Sequence, residues 1–267
     1  MIGSNGLLGQ TLSAALKKEQ SIFLTRTSLI NWDGPSVSNS QAQFFKNYGK
    51  KISKIFVAVG ETNSNVSSTR LLSSNFLLPK NLLELGKDYG FRVITFGTIH
   101  EESAIDSPYV LSKKEYRNYL NQSDPESFLH FQLHTLYSSG HAHRHSFIGQ
   151  IIESLKLNVI FNMSSGKQLR EFHNVNRDVE SIIDIIFEEK HTSSFHPLSH
   201  GNIFKLSDVA QSIFTSFTKP ELLKMQSIVD PINEIYDLNF FANFPINQSI
   251  ENSIIEELID TIKWNLP

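Results

Sequence analysis

The stretch Ser107-Pro108-Tyr109-Val110-Leu111-Ser112-Lys113-Lys114 carries the pattern Tyr109-x-x-x-Lys113. A spacing of four puts both side chains on one helical face, about one turn apart. A phenol beside an ammonium can move a proton near neutral pH, because the cation favours the phenolate. A solvated helical face would show the same spacing, so the surrounding sequence has to decide between the two.

Upstream, Phe91-Arg92-Val93-Ile94-Thr95-Phe96 is short, apolar and partly β-branched, which reads as a buried strand. Gly97 is expected to break it and to leave Thr98 at the carboxyl end, where ligands sit in open α/β sheets. Thr98 precedes Tyr109 by 11 residues. Its hydroxyl is suited to hold a substrate oxygen that Tyr109 protonates. At the start of the chain, Gly3-Ser4-Asn5-Gly6-Leu7-Leu8-Gly9 runs into a helical pattern from Gln10 to Lys18. Glycines so spaced allow a tight turn and bring backbone close to a pyrophosphate at a helix N-terminus.

With glycine turn, strand-end hydroxyl and Tyr-x-x-x-Lys in this order, the chain resembles the extended short-chain dehydrogenase/reductases. The likeness is to the NAD-dependent epimerase/dehydratase type, which includes nucleotide-sugar epimerases, dehydratases and 4-ketoreductases, and it covers nearly the whole chain. It implies an α/β fold, a Rossmann-like doubly wound parallel sheet with a small C-terminal substrate-binding lobe. Residues 1–157 would be mainly the dinucleotide-binding core. Residues 158–267 would be mainly the substrate lobe, with segments returning to the core. A full strand precedes the first glycine in that family. Here only Met1 and Ile2 do, so the first strand is expected to be truncated.

The resemblance also assigns roles. Thr98, Tyr109 and Lys113 would be catalytic. Gly3, Asn5, Gly6, Leu7, Leu8, Gly9, Val59, Gly60, Asn75, Tyr109 and Lys113 would serve the cofactor, Asn75 by supporting the backbone of the site. Arg26, after a second strand Ser21 to Thr25, would accommodate the 2′-phosphate of NADP in preference to NAD. A second match is Gly166-Lys167-Gln168-Leu169-Arg170-Glu171-Phe172-His173-Asn174-Val175-Asn176-Arg177-Asp178-Val179. It resembles the signature whose Arg meets the diphosphate of a sugar nucleotide, so Arg170 is expected on substrate together with Thr98, Tyr109 and His145. His141-Ala142-His143-Arg144-His145 has three imidazoles at spacing two. No fourth ligand is suggested nearby and the family needs no metal, so this segment reads as a polar substrate-facing loop and no metal is expected.

Smaller features follow the same pattern. Ile55 to Val59 reads as a strand, and Ser73 to Tyr89 as a helix that Pro79 would kink. Leu136 to Gly140 reads as a turn, Asn158 to Phe161 as a strand, and Ser207 as a helix N-cap. Composition is ordinary for a globular protein: 267 residues, 40% apolar, 19% charged, net charge −3. That charge gives no reason to expect nucleic acid or an anionic membrane. Zero Cys excludes disulfides, and with no apolar run of membrane length or visible signal peptide, cytoplasm is the expected location.

The expected function is NAD(P)-dependent oxidoreduction of a nucleoside-diphosphate sugar, foremost 4-keto-6-deoxyhexose reduction in surface-polysaccharide biosynthesis. The alternatives are a 4-epimerase and a non-catalytic nucleotide-binding protein. A dehydratase fits less well, because Ile99-His100-Glu101-Glu102 puts no acidic pair directly after Thr98. A homodimer through the helices near 73–89 and 109–121 would follow from the family.

Overall fold

The computed structural model describes residues 1–16, 21–24, 29, 31–63, 66–138, 146–188, 193–248, 250 and 253–266. In chain order the elements are α1 (Leu7–Leu16), α2 (Asn39–Tyr48), β1 (Lys54–Val57), α3 (Ser68–Leu72), α4 (Leu78–Tyr89), β2 (Arg92–Thr98), α5 (Pro108–Leu120), β3 (Phe128–Leu133) and β4 (Thr135–Tyr137). They continue with α6 (Phe147–Leu157), β5 (Phe161–Asn162), β6 (Leu169–Asn174), α7 (Val175–Phe187), β7 (Phe195–Pro197), β8 (Ile203–Lys205), α8 (Leu206–Ser216), β9 (Leu223–Lys224) and α9 (Ile254–Asn265). Two compact units result. One comprises Met1–Leu133 and Val179–Pro197, the other His134–Asp178 and Leu198–Pro267. The leading segment of the first unit ends at Leu133, and Val179–Pro197 returns to it from beyond residue 157.

The first unit is built on a parallel sheet in the order β1-β2-β3-β7. Its strands are near-continuous apolar runs, as a parallel sheet buried between helices requires. Ile2 stands where a further strand would: it bridges Leu24 and Val57 in parallel. Its N–H donates to the Phe56 carbonyl at 2.8 Å, and its own carbonyl accepts from Ala58 at 2.9 Å. Ile2 is buried in one core with Leu82, Val93, Tyr116 and Phe128. Of the expected second strand Ser21 to Thr25, residues 21–24 are described, and Leu24 makes its one bridge among them.

Two local readings change. β2 runs through Gly97 to Thr98 without a break. Pro79 lies in the first turn of α4 and not inside one continuous α-helix. Pro79 cannot donate to the carbonyl four residues back, and the chain takes a π turn over Ser73–Leu77, with Leu78 N–H bonded to Ser73.

The second unit pairs β4 with β6 in parallel and β6 with β8 antiparallel, and β5 with β9 in parallel. Helices α6, α8 and α9 share one core through Ile151, Ile213, Phe214, Leu258 and Ile262. Full burial of each such side chain contributes about 1.5–3 kcal/mol. Leu136-Tyr137, read as a turn, lies in β4. Asn158, read as a strand residue, is the left-handed cap of α6 at φ 54°, and the strand starts at Phe161. Ser207 lies inside α8, whose cap is Lys205, and its hydroxyl bonds Asp208 instead.

Candidate active site

The glycine turn is held by sterics at two of its three glycines. Gly3 adopts φ +89°, and a Cβ there would lie 2.6 Å from the backbone of Ala58 and Val59. A Cβ on Gly9 would overlap the Gly3 carbonyl oxygen, so only glycine lets α1 close onto the turn. Gly6 faces open space. Gly3, Asn5, Gly6, Val59 and Gly60 line one cavity of about 560 Å³, which Asp33 and Arg70 also border. Leu7 and Leu8 form the first turn of α1, which carries no acidic residue. Its free N–H groups and dipole suit an anion. These residues fit the pyrophosphate and adenosine side of a dinucleotide.

Asn75, in the π turn, ties three segments. Its carbonyl accepts from Glu61 N–H, and its amide donates to the Glu61 carbonyl and to Ser112 Oγ on α5, each at 2.9 Å. A Cβ on Gly60 would sit 3.2 Å from Asn75 Oδ1 and 3.6 Å from Lys113 Nζ. The cavity wall at Gly60 is therefore close to Lys113.

Tyr109 and Lys113 lie on α5, capped by Ser107 with Pro108 in its first turn. Lys113 is buried and donates from Nζ to the Phe96 carbonyl at 2.8 Å. Burial pulls its pKa down while Glu101 pushes it up. The Tyr109 phenol is raised above its ordinary value, by burial first and Glu101 second. This reverses the expected lowering: burial disfavours the phenolate most, and the Glu101 carboxylate adds to it. Thr98 ends β2 and is buried; its hydroxyl caps a short turn, Ile99–Glu102, by accepting from His100 N–H at 3.4 Å.

Sequence reasoning missed Glu101 as part of this site. Its Oε1 accepts from Thr98 N–H at 3.0 Å, and its Oε2 lies 3.0 Å from His130 Nε2. The other ring nitrogen of His130 is 2.8 Å from Thr95 Oγ1. The Thr-x-x-Glu spacing from Thr98 is a capping-box signal legible in the sequence. Glu102 bonds Arg117 and Gln132, at 2.6 Å and 3.0 Å. Arg26, His145 and the His141–His145 segment lie outside the described residues.

In the second unit, Arg170 pairs with Glu234 and donates to the Leu169 carbonyl at 2.8 Å. Beside it is a buried cluster the sequence did not announce. Glu171 accepts from Ser199 Oγ at 3.0 Å, from Gly201 N–H at 2.8 Å, and from His200 N–H. His173 sits between Asp178, 2.8 Å from Nδ1, and Glu171, 3.3 Å from Nε2. Burial opposes a charge on His173, but the two carboxylates outweigh it and hold its pKa up to about 9. Burial likewise opposes the charge on Glu171, and His173 and its neighbours bring that carboxyl down to about 2. His134, Glu171 and His173 have ligand atoms within 4.8 Å of one another. The His134 and His173 rings, however, stack at 2° with centroids 4.7 Å apart. Stacked rings cannot aim in-plane lone pairs at one ion unless one ring turns, so this arrangement suits a shared proton better than a metal.

The glycine-turn cradle and the Tyr-x-x-x-Lys helix stand on one parallel sheet. Solved structures share this fold over nearly the whole chain. An NAD-dependent NDP-hexosamine 5,6-dehydratase, TunA, aligns with a TM-score of 0.76 at 16% identity, covering 98% of this chain and 95% of that one. A UDP-glucose 4-epimerase of Thermus thermophilus in complex with NAD gives 0.73 at 13%, covering 99% and 97%. A dTDP-4-dehydrorhamnose reductase of Clostridium acetobutylicum gives 0.71 at 16%, covering 98% and 97%. No family model and no curated protein matches the sequence.

Proposed function

We propose that the protein is an NAD(P)-dependent oxidoreductase acting on a nucleoside-diphosphate sugar, and that its reaction is reduction of a 4-keto sugar, as in surface-polysaccharide precursors. One observation carries the reading: Gly60 lines the cradle cavity, and a Cβ built on it would lie 3.6 Å from Lys113 Nζ. A ligand laid along the glycine turn thus reaches the Tyr109/Lys113 helix.

A bound nicotinamide supplies the hydride. Tyr109 delivers the proton to the keto oxygen, Lys113 orients the nicotinamide ribose, and Thr98 is placed to hold the sugar oxygen. The Tyr109 phenol, raised by burial, carries its proton at neutral pH, as the reduction direction requires. A 4-epimerase, which begins by removing a proton, is the alternative reading. With Glu101 and Glu102 each engaged by protein partners, dehydration has no free carboxylate there. Arg26 points to NADP, and Arg170 and His145 are the sugar-nucleotide candidates. A homodimer through α4 and α5 belongs to the same proposal.

The test is thermal unfolding with NADPH and with NADH, followed by loss of absorbance at 340 nm on adding a nucleoside-diphosphate 4-keto-6-deoxyhexose. A bound cofactor stabilises by RT ln(1 + [L]/Kd). Protection with turnover supports the proposal; protection without turnover favours a nucleotide-binding protein; no protection from either cofactor refutes it.

A further inference from the structure

Beneath α5, in the first unit, lies a buried carboxylate–imidazole pair that the proposed reaction does not use. The Glu101 and His130 side chains are 0% and 1% exposed. Their meeting depends on a missing side chain: a Cβ on Gly97 would run into both Glu101 Oε1 and His130 Nε2. Gly97 is therefore glycine for room, in a strand that needs no break there.

Three fixed bonds leave the carboxylate no freedom. Thr98 N–H holds one oxygen, and His130 Nε2 holds the other. His130 is set in turn by Thr95 Oγ1, its cross-strand partner in the β2–β3 register. Whether the ring is neutral or charged, an Nε2–H can face the carboxylate. The Lys113 ammonium bonds the carbonyl of Phe96, the other side of the peptide that leads into Gly97. A buried ammonium with only a carbonyl for company would shed its proton. The groups around Glu101 are Tyr109, Lys113 and Tyr116 from α5, His130 from β3, and His100 and Glu102 of its own turn, Glu102 being paired with Arg117.

We infer that Glu101, clamped by His130 and admitted by Gly97, is a positioning residue of this site: the fixed counter-charge that keeps Lys113 an ammonium on the Phe96 carbonyl. The same field holds the Tyr109 proton in place for delivery. The inference rests on reading Tyr109 and Lys113 as the catalytic pair.

The test follows Lys113 itself, so it does not need turnover. With lysine labelled at ¹⁵Nζ and the Lys113 signal assigned through Lys113→Met, wild-type Lys113 is expected as an ammonium at pH 8. A neutral amine at pH 8 overturns the inference. In Glu101→Gln the titration should fall by about one to three pH units, the size expected from a nearby opposite charge. An unchanged titration also overturns it. His130→Gln keeps a donor on the carboxylate, so Lys113 should titrate close to wild type. A drop as large as that in Glu101→Gln would assign the effect to folding and sink the counter-charge role. If Glu101→Gln does not fold, the wild-type and His130→Gln titrations decide. Where turnover exists, the alkaline limb of kcat/KM should move down with the lysine. If no turnover exists in wild type, the proposed reaction fails while the lysine titration still decides the present point.

Discussion

Replacing His173 by Gln removes the charge at the centre of the buried cluster in the second unit. The magnitude follows from its neighbours. An imidazole carried from its ordinary 6.5 to about 9 by Asp178 and Glu171 favours its charged form by about 3 kcal/mol, at about 1.4 kcal/mol per pH unit. The sign is fixed by the direction. A raised folded-state pKa gives stability that is full below pH 6.5 and fades as pH climbs through about 9. Glu171, lowered to about 2, works in the other direction. Its share is full above pH 4.5 and is lost as pH falls through 2. Both describe one coupled interaction, so they are not summed, and the cluster contributes most between pH 4.5 and 6.5. His173→Gln should therefore cost about 3 kcal/mol at pH 6 in urea unfolding followed by circular dichroism. The deficit should shrink toward about 1 kcal/mol, a neutral hydrogen bond, above pH 9. The informative quantity is the slope of stability between pH 6.5 and 9. Equal slopes in wild type and variant would show that no imidazolium is buried there.

Other substitutions test other parts of the first unit. Tyr109→Phe should abolish turnover at 340 nm while leaving cofactor-induced thermal protection nearly unchanged; retained turnover would remove Tyr109 from its role. Gly9→Ala forces a methyl onto the Gly3 carbonyl and should cost about 1–3 kcal/mol of stability along with cofactor protection. Gly6→Ala meets open space, so its unfolding should stay within about 0.5 kcal/mol of wild type while cofactor protection falls. Asn75→Ala strands the Glu61 backbone groups and should cost about 1–3 kcal/mol in chemical unfolding.

Much of this was legible in the sequence, for physical reasons. The strands β1, β2 and β3 are mostly apolar runs, and Tyr109 and Lys113 share a helical face because their spacing fits one turn. What escaped depended on register or on distance. His130 meets Thr95 only through strand pairing, and Glu101 reaches His130 across 29 residues. The His134, His173 and His200 rings stack one on the next from three separate segments. Gly97 was expected to end a strand, since propensity says nothing about two side chains needing its space. Asn158 was read as strand because it leads an apolar run, whereas its left-handed backbone closes a helix.

Asn75 gives Glu61 what a neighbouring strand would give: an acceptor for its N–H and a donor for its carbonyl. One amide side chain thus supplies a strand-like rung to Glu61, beyond the end of β1 at Val57. Insertions before residue 61 would unhook that rung, so length variation in this loop should be tolerated only on its far side.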